Sequence, residues 1–139
     1  MLSYSKIMVP IDFEKISESA IAKAASHSEA SNSQLLVVYV LDPERHDETD
    51  WQDSEASHIA LQQAGQRVDR LLDRLEIGYC DKMVKAGDTV EQLLEIIQSE
   101  KIDLVVMGTH SKEEPPRLVK SITAAVVSNT ECDVLVLHK

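Results

Sequence analysis

The sequence predicts an α/β fold: an open, doubly wound, five-stranded parallel sheet with four helices and a nucleotide-binding, Rossmann-like architecture. Short, continuous apolar runs alternate strictly with segments whose apolar residues recur at intervals of three and four. Continuous apolar runs are typical of parallel strands, because helices cover both faces of such a sheet. Strict alternation indicates right-handed crossovers, for which we expect the strand order 3-2-1-4-5. The 139 residues suit a single domain spanning residues 1–139.

Five segments are predicted strands because they are short and rich in aliphatic residues. In chain order they are Ile7–Ile11, Leu35–Leu41, Cys80–Lys85, Leu104–Met107 and Val134–Leu137. Pro10 indicates that the first strand ends nearby, since proline cannot donate to a sheet ladder. The third strand is the weakest prediction because it carries Asp81, Lys82 and Lys85.

Four segments between these strands are predicted helices, because their apolar residues share one face. The faces, in chain order, are Ile16, Ala20, Ile21 and Ala24; Ala60, Ala64, Val68, Leu71, Leu72 and Leu75; Val90, Leu93, Leu94 and Ile97; and Leu118, Ile122, Ala125 and Val126. Ser17 or Ser19 is a candidate cap for the first helix. Asp88, with Glu91 three residues later, resembles a capping box and predicts the start of the third.

The connection Asp42–Ser54 is long, polar and acidic. Two interpretations remain open for it: a solvated loop, or a lid or partner-binding segment in which Trp51 is the anchor. The two cysteines, Cys80 and Cys132, lack a paired spacing and are expected to remain thiols.

The composition limits the function classes. The formal net charge is −10, which disfavours binding to nucleic acid and to anionic membranes. It also means that a phosphate site needs local positive charge. We see no membrane-spanning run and no export signal, and therefore expect a cytoplasmic protein.

The candidate site lies at the carboxyl ends of the strands, where ligands bind in open parallel sheets. Val9–Phe13, Tyr39–Asp42 and Met107–Ser111 should meet there. Asp12 is suited to accept a hydrogen bond from a ribose or to meet a cation. Gly108 lacks a Cβ, so a ligand or backbone can approach it closely. Each is also a common turn residue, which is the alternative for both.

Nearly the whole chain resembles the universal stress protein family. The matching segments are KIMVPID, VVYVLDP, KAGDTVEQLLEII, IDLVVMGTHS and CDVLVLHK, which occur in the family's order and spacing. The resemblance implies a homodimer and one of two branches. One branch binds ATP through a glycine-rich phosphate loop, and the other lacks these glycines and is thought not to bind ATP.

Only half of that nucleotide site is retained. By resemblance, Pro10, Asp12 and Val40 match positions that contact adenine and ribose, and Gly108 matches the first loop glycine. The remaining matched positions are Ser111 in place of the second glycine and Lys120, Ser121 and Ile122 in place of Gly-Ser-Val. The loop between them is one residue short.

The loop itself disfavours a triphosphate. Pro115 and Pro116 remove two backbone donors, and Glu113 and Glu114 bring negative charge near the phosphates. Side chains could replace the lost backbone cradle. These are Lys112, Arg117, Lys120 and Ser121.

The leading hypothesis is therefore a non-enzymatic, dimeric stress-response or regulatory module with a degraded adenine-nucleotide site, acting through protein partners. The alternative is an ATP- or AMP-binding member that uses the basic side chains of the loop. A nucleotide-hydrolysing enzyme is a third hypothesis, which the lack of an evident base disfavours. No cofactor is required, and no metal is expected because His46, Asp47, Glu48, Asp50, Asp53 and His58 are irregularly spaced.

The dimer is predicted to form through Val134–Leu137. This strand lies at an edge of the predicted sheet and carries no charge, whereas the opposite edge strand carries Lys82 and Lys85. The alternative is that the second helix or the C-terminal tail covers the edge.

Overall fold

The computed structural model describes residues 4–42, 55–78, 80–109 and 122–138. The elements are β1 (Lys6–Ile11), α1 (Lys15–Ser31), β2 (Gln34–Leu41), α2 (Glu55–Arg74), β3 (Asp81–Ala86), α3 (Thr89–Ser99), β4 (Leu104–Gly108), α4 (Ile122–Asn129) and β5 (Asp133–Leu137). The strands are parallel in the order β3-β2-β1-β4-β5. The predicted fold class and strand order are confirmed.

Two apolar layers enclose the sheet, because alternate strand residues point to opposite faces. Ile7, Val9 and Ile11 of β1 pack in one cluster with α1 and α2. Met8 lies in the other cluster, with residues of α3 and α4. The central strand is buried on both faces, which explains its nearly continuous apolar sequence.

β1 does not stop at its proline. Pro10 pairs with Val38 of β2, and Ile11 pairs with Tyr39. The pairing of β1 with β4 is restricted to Ile7 and Met8. The proline therefore lies in the part of β1 that has already separated from β4.

The start of α1 differs from the prediction. Glu14 occupies the N-cap position, and both Ser17 and Ser19 lie inside the helix. The prediction of a serine cap was wrong because the Ser17 side chain instead donates to Asp12, across the preceding turn.

The start of α3 agrees with the prediction. Asp88 is the N-cap residue, and its Oδ2 accepts from the Glu91 backbone N–H at 2.9 Å. Leu93, Ile96 and Ile97 form the buried face of this helix. Leu118, the first residue of the predicted fourth stripe, lies outside the described residues.

The two edges of the sheet differ. On β3, Lys82 Nζ lies 2.8 Å from Asp69 Oδ1 of α2. On β5, Leu135 is 40% exposed, and Val127 on the neighbouring α4 is 48% exposed. Within the described ranges, no helix is long and apolar enough to cross a membrane.

Candidate functional site

A cleft of about 420 Å³ opens at the carboxyl ends of β1, β2 and β4. Its position follows from the sheet, since β1 and β4 are neighbours whose pairing ends at Met8. The two strands separate beyond this point, and the turn from β1 into α1 lines the gap. This is the position where the strand order reverses and where open α/β sheets bind ligands.

One wall of the cleft is apolar. Val40, Leu93 and Met107 belong to the core layer beneath α3 and α4, and Ile122 packs against it. Pro10 lies on the same face of β1 as Met8, and it also lines the cleft. A flat apolar group can bind on such a wall by van der Waals contact.

Asp12 is held in the turn between β1 and α1. Its Oδ1 accepts from Ser17 Oγ at 2.8 Å and from the Glu14 backbone N–H at 3.0 Å. The Asp12 backbone N–H donates to Ser17 Oγ at 3.0 Å. These bonds fix the carboxylate at the mouth of the cleft, where it remains exposed. Asp12 is therefore a turn residue, and its exposed carboxylate is also positioned to accept a hydrogen bond from a ligand.

The close approach predicted at Gly108 is made by the half-buried side chain of Ile16, which also lines the cleft. A Cβ at this position would lie 2.3 Å from Ile16 Cγ1 of α1. The carbonyl oxygen of Gly108 accepts from Thr123 Oγ1 of α4 at 3.0 Å. The glycine thus allows α1 to pack against the end of β4.

Asp42 and Thr89 join the end of β2 to the start of α3. Asp42 is buried, and its Oδ2 lies 3.4 Å from the Thr89 backbone N–H and 3.3 Å from Thr89 Oγ1. A carboxylate at the start of a helix is stabilised by the helix dipole. Both residues line the cleft.

The opposite side of the cleft carries an aromatic–arginine cluster, formed by Phe13, Tyr39 and Arg67. The guanidinium carbon of Arg67 lies 3.8 Å from the centroid of the Phe13 ring. The Phe13 and Tyr39 ring centroids are 4.8 Å apart, with the planes inclined at 46°. Burial raises the pKa of the Tyr39 hydroxyl, the nearby Arg67 charge opposes this rise, and Asp12 adds to it.

These cluster residues were not among the predicted site residues. Phe13 and Tyr39 belonged to segments that were expected to meet at the site, but Arg67 gave no signal. It lies on the exposed face of the long helix α2, where arginine is common in any protein.

The lining is acidic except for this arginine. Asp12, Glu14 and Asp42 contribute carboxylates. Within the part of the lining that the structure describes, Arg67 contributes the one basic side chain. An anionic ligand in this cleft thus has Arg67 as its nearest source of compensation there.

The structure brings five of the eight predicted site residues into one cleft, namely Pro10, Asp12, Val40, Gly108 and Ile122. Ser111, Lys120 and Ser121 lie outside the described residues, as do Lys112 and Arg117. A binding role for any of the eight stays a prediction. No group of three metal-ligating side chains occurs in the described ranges.

Sequence comparison identifies related proteins along nearly the whole chain. The model of the universal stress protein family matches residues 3–138. A universal stress protein of Methanocaldococcus jannaschii is 28% identical over 142 residues, covering 98% of this chain and 83% of that protein. A universal stress protein A homolog of Coxiella burnetii is 23% identical, covering 99% of this chain and 97% of that protein.

Structure comparison finds the same fold. Another universal stress protein of Methanocaldococcus jannaschii matches with a TM-score of 0.82 at 22% identity, covering 99% of this chain and 98% of that one. UspA from Lactobacillus plantarum matches with a TM-score of 0.72 at 23% identity, covering 99% of each chain. A universal stress protein solved in complex with cAMP matches with a TM-score of 0.67 at 23% identity, covering 99% of this chain and 98% of that one.

Proposed function

Because this chain belongs to the universal stress protein family, we propose that it is a non-enzymatic, dimeric regulatory module whose cleft holds the adenosine half of a nucleotide and binds its phosphates weakly. The observation that carries the proposal is the meeting of Pro10, Asp12 and Val40 in one cleft of about 420 Å³. A cleft of this size lies in the range typical of small-molecule sites.

The chemistry of the cleft suits a nucleoside. The apolar wall of Val40 and Leu93 offers contact to the face of a base. The exposed carboxylate of Asp12 can accept from ribose hydroxyls, and its turn holds it in place before the ligand arrives. A positioned acceptor avoids the entropy cost of ordering that group on binding.

The phosphate half has less support. Ser111 and Lys120 replace glycines of the family's phosphate loop, and two prolines lie between them. Side chains such as Lys112 and Arg117 would have to replace backbone donors. We therefore expect little gain in affinity from the second and third phosphates.

A non-enzymatic role agrees with the residues of the cleft. The described part of the lining includes Ser17 and three threonines but neither histidine nor cysteine. Ser17 Oγ is already bonded to Asp12 in the turn that starts α1. The bases that meet these hydroxyls are carboxylates, Asp12 at Ser17 and Asp42 at Thr89. A carboxylate alone is too weak a base to make a hydroxyl a strong nucleophile.

The second candidate function is that of an ATP- or AMP-binding member, in which Lys112, Arg117, Lys120 and Ser121 replace the glycine cradle. It is favoured by the structural neighbour solved in complex with cAMP. The two proposals differ in how affinity depends on the number of phosphates.

Calorimetry with adenosine, AMP, cAMP and magnesium ATP tests both proposals. The first predicts that adenosine and AMP bind and that ATP binds no more than a few-fold tighter than AMP. ATP binding more than tenfold tighter than AMP supports the second candidate instead. No heat with any of the four ligands at millimolar concentration overturns both.

Two variants sharpen this experiment. Asp12→Asn keeps an oxygen for the turn but removes the charge, and should weaken adenosine binding about tenfold, the loss of one charge-assisted hydrogen bond. Asp73→Asn, an exposed change on α2, is the matched control. In Ser111→Gly/Lys120→Gly, the first proposal predicts tighter ATP binding, because the lost cradle is restored.

We also propose that the dimer forms through β5. Two observations support this proposal. β5 is an edge strand that carries no charge between Val134 and Leu137. Leu135 on this strand and Val127 on the neighbouring α4 are exposed apolar side chains. Exposed apolar surface at a sheet edge favours pairing with a second copy.

A further inference from the structure

Arg67 is positioned by an aromatic ring and keeps its hydrogen-bonding capacity. Its guanidinium lies 3.8 Å from the Phe13 ring centroid, a contact that uses the charge rather than the N–H donors. No hydrogen bond or ion pair links Arg67 to any other residue in the described ranges. Its five donors are therefore available at the side of a ligand cleft.

Tyr39 adds a hydroxyl close enough to the guanidinium for the Arg67 charge to affect its pKa. It is half-buried, and its ring packs against Phe13 with the centroids 4.8 Å apart. Burial raises the pKa of this hydroxyl, so the group is protonated at neutral pH and can donate. The aromatic–arginine cluster thus presents a cation and a neutral donor together, the combination that recognises an oxyanion.

The cluster lies on the opposite layer from the apolar wall. Val40 and Leu93 belong to the layer of α3 and α4, whereas Phe13 and Tyr39 pack with the layer of α1 and α2. Asp12 adjoins Phe13 in the chain and affects the pKa of Tyr39. A ligand with its base on the wall and its ribose hydroxyls at Asp12 would have its 2′ and 3′ oxygens on the side of the cleft that carries Tyr39 and Arg67.

We propose that Phe13, Tyr39 and Arg67 form a subsite for a phosphate ester on the 2′ or 3′ oxygen of the ribose, so that the cleft prefers adenine nucleotides phosphorylated there over those with 5′ phosphates alone. This inference rests on the proposed function, because it takes the adenosine orientation from it. Arg67 forms paired N–H···O bonds with the phosphate, and Tyr39 donates to a third oxygen.

Charge restricts a bound anion to the part of the cleft near Arg67. The chain carries a net charge of −10, and the cleft contains Asp12, Glu14 and Asp42. A phosphate near these groups is repelled unless a cation lies closer to it. Arg67 is the basic side chain that the described part of the lining provides.

The test compares AMP with adenosine 3′,5′-bisphosphate by calorimetry at constant ionic strength. The native protein should bind the bisphosphate roughly 10- to 100-fold tighter than AMP, the gain typical of a bidentate arginine–phosphate pair. Arg67→Gln should remove this preference, so that the variant binds the bisphosphate and AMP with affinities within about twofold of each other. Arg67→Lys keeps the charge without the planar fork and should retain only part of the preference.

Arg70→Gln is the matched control. It removes the same charge from the same helix at a residue that does not line the cleft, and it should leave the preference intact. Thermal unfolding of each variant checks that the fold is retained, and the native comparison does not depend on any variant.

Four outcomes overturn the inference. Equal binding of AMP and the bisphosphate by the native protein removes the subsite and leaves the proposed function standing. The same holds if the preference persists in Arg67→Gln, or if Arg70→Gln reduces it as much, which would indicate only the overall charge. Binding of neither nucleotide overturns the inference together with the proposed function.

Discussion

Gly108 shows how a single residue connects the core with the cleft. Its hydrogen faces Ile16 of α1, and its carbonyl oxygen holds Thr123 of α4. The sequence suggested that a ligand or backbone can approach this glycine closely, but its nearest neighbours are side-chain atoms of Ile16, which also lines the cleft. A glycine at the end of β4 is therefore expected in a member of the fold whether or not the cleft is occupied.

Gly108→Ala should destabilise the protein by about 1–3 kcal/mol, the usual cost of overpacking a core. The new Cβ would lie 2.3 Å from Ile16 Cγ1, so the Ile16 side chain or α1 itself must shift. Urea unfolding measures the loss. Combining the change with Ile16→Ala, which removes Cγ1 and Cγ2, should give a smaller loss than the sum of the single changes, because the two residues are in contact.

Gly78→Ala is the control for this experiment, since no atom lies within 4 Å of the position of its added Cβ. It should change the free energy of unfolding by less than about 0.5 kcal/mol. Equal losses from the two glycine variants would contradict the contact with Ile16.

The ionisation of Tyr39 tests the aromatic–arginine cluster without any ligand. Burial raises its pKa above the ordinary value of 10.0, and Arg67 limits the rise. Arg67→Gln should therefore raise the pKa of Tyr39 further, and Arg70→Gln should not. Alkaline titration followed by tyrosinate absorbance, with Tyr39→Phe to assign the transition, measures the shift.

The raised pKa of Tyr39 also determines how the free energy of unfolding changes with pH. A hydroxyl with a raised pKa in the folded state stabilises the fold fully below the unfolded pKa, and this contribution is lost as the pH rises through the folded one. The free energy of unfolding should therefore fall less steeply above pH 10 in Tyr39→Phe than in the native protein. An identical alkaline slope in both would count against burial as the cause.

At the scale of elements, the capping residues in the sequence predicted the start of α3 correctly but not that of α1. Asp88 caps α3 as its sequence suggests, because an Asp with Glu91 in the third position leaves few alternatives. At α1 the predicted serine cap was wrong, because the Ser17 hydroxyl donates to Asp12 in the preceding turn instead of capping the helix. The side-chain bonds of a turn and of a cap use the same residue types, so sequence alone does not separate them.

Asp88→Ala should cost about 1 kcal/mol of unfolding free energy, because the Glu91 N–H loses its acceptor. Asp88→Asn keeps an oxygen in the same place and should cost only a fraction of this. Denaturant unfolding of both variants measures the difference. Similar losses from the two would contradict the capping bond and point to charge.

At the scale of the whole molecule, the sheet follows from the sequence almost completely. Apolar runs flanked by amphipathic segments permit few connections, and the preference for right-handed crossovers reduces them further. The cleft's position follows from the strand order. The role of Arg67 in the cleft could not be predicted from the sequence, because it depends on the contact with Phe13, which lies far from Arg67 in the chain.

Leu135→Glu should convert the proposed dimer to a monomer, because it places a charge on the exposed edge of β5. Ile59→Glu, at a similarly exposed apolar residue on α2, should leave the dimer intact. Sedimentation at micromolar concentration distinguishes the two. A native protein that sediments only as a monomer would contradict the dimer.

The separation of β1 from β4 beyond Met8 has an evolutionary consequence. The gap lies between the ends of these two strands, so its position is set by where their pairing stops. A lineage can change the residues around the opening, generation after generation, and still inherit the hollow between the strands. Ligand preference can then diverge between descendants while the architecture that receives the ligand stays the same.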